Sequence, residues 1–144
     1  MNAPRKHPLG VTLLLAGVLS LTASNGVRFG AALASREALG RFAPSPAPLY
    51  IAITGLIWLL TGLPLIWGLW FGSPWARRAT LLVTILYMLY YWLDRLAFQY
   101  PLRRANWPFS LALTLFWLIF TLITLLSPGS LTFFKQREQH DRKS

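Results

Sequence analysis

Asp94 is the only acidic residue between Glu37 and Glu138, and it lies in a strongly apolar run, residues 79–100. An ionisable group in such a run is costly and marks a functional-site candidate. Thr80, Thr84, Tyr87, Tyr91, Asp94 and Phe98 follow one another at 4-3-4-3-4 spacing, which places them on one seam of a helix. Two chemistries fit a line of hydroxyls leading to a carboxylate. One is a polar path for protons, an ion or a small solute, with Asp94 titrating. The other is an interhelical seam in which the hydroxyls bond across helices and Asp94 pairs with an arginine. Depth favours the second, because Asp94 falls about 16 residues into the run, near one interface and away from the bilayer centre.

The expected partner follows from depth too. A first helix starting near Leu9, on the same side as Ala79, brings Asn25 and Arg28 to the level of Asp94. These two are three residues apart and share a helix face. The candidate polar cluster is therefore Asp94, Arg28, Asn25, Tyr91 and Tyr87. Arg95, next to Asp94, is expected to point elsewhere, with Arg103 or Arg104 as alternative partners that fold back.

Other chemistries lack their residues. The chain has no cysteine, and its two histidines, His7 and His140, lie in the terminal segments. Disulfides, thiolate metal sites, iron–sulfur clusters and a cysteine nucleophile are ruled out. The apolar interior has no imidazole for haem, copper, zinc or a chlorophyll-type magnesium. No Ser–His–Asp set, HExxH, carboxylate pair or glycine-rich phosphate loop occurs in a suitable context. The expectation is a protein that is not an enzyme and holds no metal or ligated cofactor. A lipid, quinone or carotenoid held by aromatic packing would leave no mark in the sequence.

The elements that position these residues are apolar helices. Of 144 residues, 55% are hydrophobic and 12% charged, against about 25% charged in soluble domains. The pattern predicts an all-α membrane protein with four transmembrane helices in an antiparallel bundle, at about 9–41, 50–71, 79–100 and 107–126. A basic tail, 1–8, precedes this single membrane domain, 9–127, and a basic polar tail, 128–144, follows it. The N-terminus, MNAPRKHPLGVTLLLAGVLSLTASNG, is similar to a signal peptide. Apolar and small residues continue past Thr22-Ala23-Ser24, however, so it reads as an uncleaved first helix whose extension carries Asn25, Arg28, Arg36 and Glu37. The proline-rich 43–48 segment breaks that helix, 72–75 makes a tight turn, and Pro101 ends the third helix. Asn106 is the expected N-cap of the fourth, with Pro108 in its first turn. Ser127-Pro128-Gly129 stops it.

Small residues mark the packing faces. Thr22, Gly26, Gly30 and Ala34 recur every four residues on the first helix; Thr54, Thr61 and Gly68 recur at heptad spacing on the second, with Gly55 and Gly62 alongside. Such residues let helix backbones approach closely. Pro64 sits mid-span, either as a tolerated kink or as a hinge that opens a carbonyl. Thr114 and Thr121 give the fourth helix a similar polar edge.

The net charge of +10 comes from basic pairs and triplets that flank the apolar runs. They form no contiguous basic helix, so the expected partners are anionic lipid headgroups and no nucleic acid. With an even number of spans both termini share one side. That side holds Arg5, Lys6, Arg77, Arg78, Lys135, Arg137, Arg142 and Lys143; the other holds Arg28, Arg36, Arg41, Arg95, Arg103 and Arg104. The excess points to cytoplasmic termini, in a bacterial inner membrane.

The segments GLPLIWGLWFGSPWARRATLL, YYWLDRLAFQYP and ANWPF resemble small bacterial four-helix membrane proteins over roughly residues 9–127. The resemblance implies the four-span architecture and no particular activity. The leading expectation is a non-catalytic accessory or assembly subunit that packs through its small-residue faces, in a larger membrane complex or a homo-oligomer. The alternatives are a small transporter or channel-like protein using the seam that ends at Asp94, and a lipid- or quinone-binding membrane protein.

Overall fold

The computed structural model describes residues 8–34, 47–98 and 106–141. Five helices occur among them: α1 (Leu9–Ala34), α2 (Ala47–Phe71), α3 (Pro74–Phe98), α4 (Trp107–Leu126) and α5 (Pro128–Asp141). Three stretches, Leu9–Ala34, Pro48–Phe71 and Trp107–Leu126, are long and apolar enough to cross a membrane. α3 is as long as α2, but its tyrosines and the Asp94–Arg95 pair make it less apolar. The expected extension of the first helix to residue 41, the end of the third near residue 100, and Arg36, Glu37, Arg103 and Arg104 lie outside the described residues.

The joints are set by turn chemistry. Gly72 closes α2 with φ of 67°, a conformation that favours glycine. Ser73 and Pro74 then start α3 at once, because proline suits the first helical position. The third helix therefore begins at Pro74 and not near residue 79. At α4, Asn106 occupies the cap position but its side chain makes no capping bond, and Pro108 alone favours the helix start.

Ser127 ends α4 in an extended conformation and starts α5. Its Oγ donates to Thr124 O at 2.9 Å and accepts from Ser130 N at 3.4 Å, while its carbonyl accepts from Leu131 N at 3.0 Å. The segment expected only as a polar tail is thus helical through Asp141. The same Ser-Pro-Gly triplet that stops one helix caps the next.

The chain forms two compact units. One comprises residues 15–71, the greater part of α1 with α2; the other comprises the first turns of α1 with residues 72–144. In the α1–α2 unit, backbones meet at glycine. A Cβ on Gly55 would lie 3.1 Å from both Asn25 O and Phe29 N, and one on Gly62 would collide with the Thr22 hydroxyl. Gly26 meets the Leu59 side chain at 3.4 Å. α2 is continuous through Pro64, which lies on its exposed face.

In the second unit α3, α4 and α5 pack against one another. The first turn of α1 joins them, with Gly10 against Thr124 and with Val11 and Leu14 fully buried. Phe133 of α5 packs on Gly72, and Phe134 is buried beside it, their rings 5.4 Å apart. The start of α1, the turn before α3 and the α4–α5 junction therefore gather at one end of this unit.

Replacing Gly55 or Gly62 by leucine should separate α1 from α2, since neither opposing backbone nor Thr22 can give way. A loss of about 1–3 kcal/mol or more is expected, read as a clear fall in the thermal unfolding midpoint in detergent. Leucine at Gly30, where nothing lies within 4 Å of a Cβ, should leave the midpoint unchanged.

Candidate functional site

The seam on α3 faces inward. Thr80 is buried and Thr84, Tyr87, Tyr91 and Asp94 are half-buried, whereas Leu82, Leu86, Leu89, Leu93 and Leu96 form an exposed stripe. Both stripes repeat at three- and four-residue steps, so α3 is amphipathic: apolar outward, hydroxyls inward. α4 carries a matching stripe. Ser110, Thr114, Trp117, Thr121 and Thr124 follow at 4-3-4-3 spacing, and each is buried or half-buried.

The two stripes are fastened at one end by Arg95. Its side chain is only 7% exposed, and one terminal nitrogen, Nη1, donates to Tyr91 Oη at 2.9 Å and to Ser110 Oγ at 2.7 Å. Tyr91 lies one turn back on α3, whereas Ser110 is on α4, so one guanidinium spans the helix pair. Charged-donor bonds are worth more than neutral ones, about 1.5–3 kcal/mol each. The Trp92 ring lies 5.9 Å from the guanidinium carbon and meets Trp107 of α4 edge-on at 6.0 Å. Cation, aromatics and hydroxyls together close this end of the α3–α4 pair.

No family model, curated protein or solved structure matches the chain. The functional reading therefore rests on the geometry alone.

The polar residues singled out in the sequence fall into both units. Tyr91 and Tyr87 lie on the inward seam of α3, and Tyr91 is held by Arg95. Asp94 is half-buried on the same helix. Arg28 and Asn25 belong to the α1–α2 unit. Asn25 is buried at the contact with Gly55, and its Nδ2 donates to Leu21 O at 2.8 Å. Arg28 is half-buried.

Of the expected packing residues, Thr22, Gly26 and the buried Gly68 lie on covered faces, while Gly30 and Ala34 are exposed. Thr54 and Thr61 are half-buried and donate to the carbonyls of Tyr50 and Ile57 on their own helix, at 2.8 Å each. The residues that α1 touches are their neighbours Gly55 and Gly62.

Arg95 and Ser110 are the residues that sequence reasoning passed over. Arg95 turns to Tyr91 and Ser110, and it is the most buried charge among the described residues. The signal was present: Arg95 is four residues after Tyr91, as Asp94 is three, and both steps stay on one face. Ser110 heads a stripe whose later members, Thr114 and Thr121, were noticed without it. No group of three or more histidine, cysteine or carboxylate side chains suited to a metal ion occurs among the described residues.

A double-mutant cycle between Arg95→Leu and Ser110→Ala should give a coupling energy of about 1–3 kcal/mol. Unfolding midpoints of the four proteins in one detergent check it. Arg95→Lys should restore the bridge only in part, because its ammonium sits on a shorter stem than Nη1 and is more strongly hydrated than a guanidinium.

Proposed function

We propose that this chain is a four-span integral membrane protein with a non-catalytic role, an accessory or assembly subunit that joins other membrane helices or further copies of itself. α3 is the fourth span in this reading. Its exposed leucine stripe suits lipid, and its polar residues look inward. Both termini then lie on one side, and the excess of Lys and Arg assigned to that side favours a cytoplasmic location in an inner membrane.

The observation that carries the proposal is the outward face of α1. Ala16, Ser20, Ala23, Val27, Gly30 and Ala34 recur at three- and four-residue steps and are all exposed. A Cβ added at Gly30 would meet nothing within 4 Å. Lipid-facing positions elsewhere in the chain are large: Leu60, Leu63 and Trp67 on α2, and Leu113, Phe116 and Ile123 on α4. A face of small residues offers lipid little contact area. It lets a second helix approach closely enough for backbone packing.

A second reading, a small transporter, is favoured by the hydroxyls lining the α3–α4 seam. A bound lipid or quinone is compatible with either.

Purification from native membranes followed by native mass spectrometry should recover a fixed-stoichiometry partner or a homo-oligomer. A Gly30→Leu/Ala34→Leu variant should lose that association while its own unfolding midpoint stays put. Recovery of the wild-type chain only as a monomer would sink the proposal. Solute flux into liposomes that Asp94→Asn abolishes would establish the transporter instead.

A further inference from the structure

Two buried threonines depart from the way this protein satisfies most of its helical hydroxyls. In its helices many serine and threonine hydroxyls turn back onto their own backbone. Ser20, Thr22 and Ser24 donate to carbonyls four residues earlier at 2.7–2.9 Å, and Thr54, Thr61 and Thr114 do the same. Thr80 on α3 and Thr121 on α4 do not. Both are fully buried, 1% and 0% exposed, and neither Oγ1 makes a hydrogen bond among the described residues. A buried hydroxyl without a partner costs about 1–3 kcal/mol.

The helix repeat places them at matching positions on the two helices. Tyr91 and Ser110 are bridged by the single Nη1 of Arg95, which fixes them as opposite positions on the two helices. Thr80 lies eleven residues before Tyr91, and Thr121 eleven residues after Ser110. Eleven residues make about three turns and about 16.5 Å. The helices run antiparallel, so the two steps lead in the same direction. They end on the inward seam of each helix, at one level. Thr80 and Thr121 are thus opposed across the α3–α4 contact, three turns from the Arg95 clamp.

We propose that Thr80 and Thr121 hold an internal water molecule between α3 and α4. Each hydroxyl can donate one hydrogen bond and accept others. One water accepting from the first and donating to the second satisfies both, and nearby backbone carbonyls supply the third bond that buried waters typically make. The seam then has a charged clamp at one end and a hydrated one at the other. This assignment rests on the α3–α5 unit alone and stands whether or not the chain has a partner subunit.

Water-edited solid-state NMR of the full chain in bilayers with deuterated acyl chains tests it directly. Thr80 and Thr121 should receive polarisation from water several-fold faster than the equally buried Leu14 and Leu125. Transfer as slow as at those leucines would overturn the proposal. Unfolding midpoints give a second test. Thr80→Val and Thr121→Val should each lower the midpoint by about 3–6 °C. The double variant should fall no further than the worse single one, because removing both partners leaves nothing unsatisfied. Additive shifts would mean two hydroxyls that each turn onto their own helix, and no shared water. If a variant does not fold, the wild-type NMR result decides alone.

Discussion

A surface of leucine, isoleucine, phenylalanine and tryptophan leaves polar side chains nowhere to go but inward. That constraint orders the whole chain. The buried polar residues Thr22, Asn25, Thr80, Arg95, Ser110, Thr121 and Thr124 sit at helix contacts, while large apolar residues are exposed along each of α1 to α4. In an apolar solvent each polar atom must be satisfied within the protein. Most hydroxyls here achieve this within one turn, by bonding a carbonyl of their own helix. Such bonds hold no helix to another. The few polar groups that reach across helices, Arg95 above all, therefore carry orientation out of proportion to their number.

The two compact units solve the packing problem differently. Between α1 and α2 the solution is removal of side chains. Gly55 brings the two backbones into contact, and Gly62 receives the Thr22 side chain. Helix association in lipid depends on packing and hydrogen bonds more than on hydrophobic burial, so close approach is the main gain. Between α3, α4 and α5 the solution is aromatic and ionic. Trp92 lies against the Arg95 guanidinium and meets Trp107 edge-on, and the Phe133–Phe134 pair seats α5 where Gly72 leaves room for a ring. A side chain at Gly72 would face two penalties at once, the positive φ and the ring of Phe133.

Much of the candidate site was legible as periodicity. The 4-3-4-3 spacing from Thr80 to Tyr91 named the inward seam of α3, because a helix returns to the same face at those steps whatever surrounds it. On α2 the heptad Thr54, Thr61 and Gly68 runs beside Gly55 and Gly62; the threonine hydroxyls bond their own helix, and the two glycines make the contact with α1. On α1 the repeat of small residues gave one face and could not say where it was covered; contact involves Thr22 and Gly26, and not Gly30. α5 went unseen because a cap is a local hydrogen bond that Ser-Pro-Gly makes as readily as it makes a stop.

The sequence by itself determined the class: helical and apolar, with joints at Gly72-Ser73-Pro74 and Ser127-Pro128. These properties follow from composition and local sterics, which need no partner. The tertiary structure decided which of two adjacent charges is the clamp. Asp94 and Arg95 stand at nearly equivalent steps from Tyr91, and no periodicity separates three residues from four. Only the position of Ser110 on another helix, 2.7 Å from Arg95 Nη1, makes the arginine the residue that joins α3 to α4. A helix repeat fixes the face a side chain occupies, whereas the identity of its partner depends on how two helices are set in register.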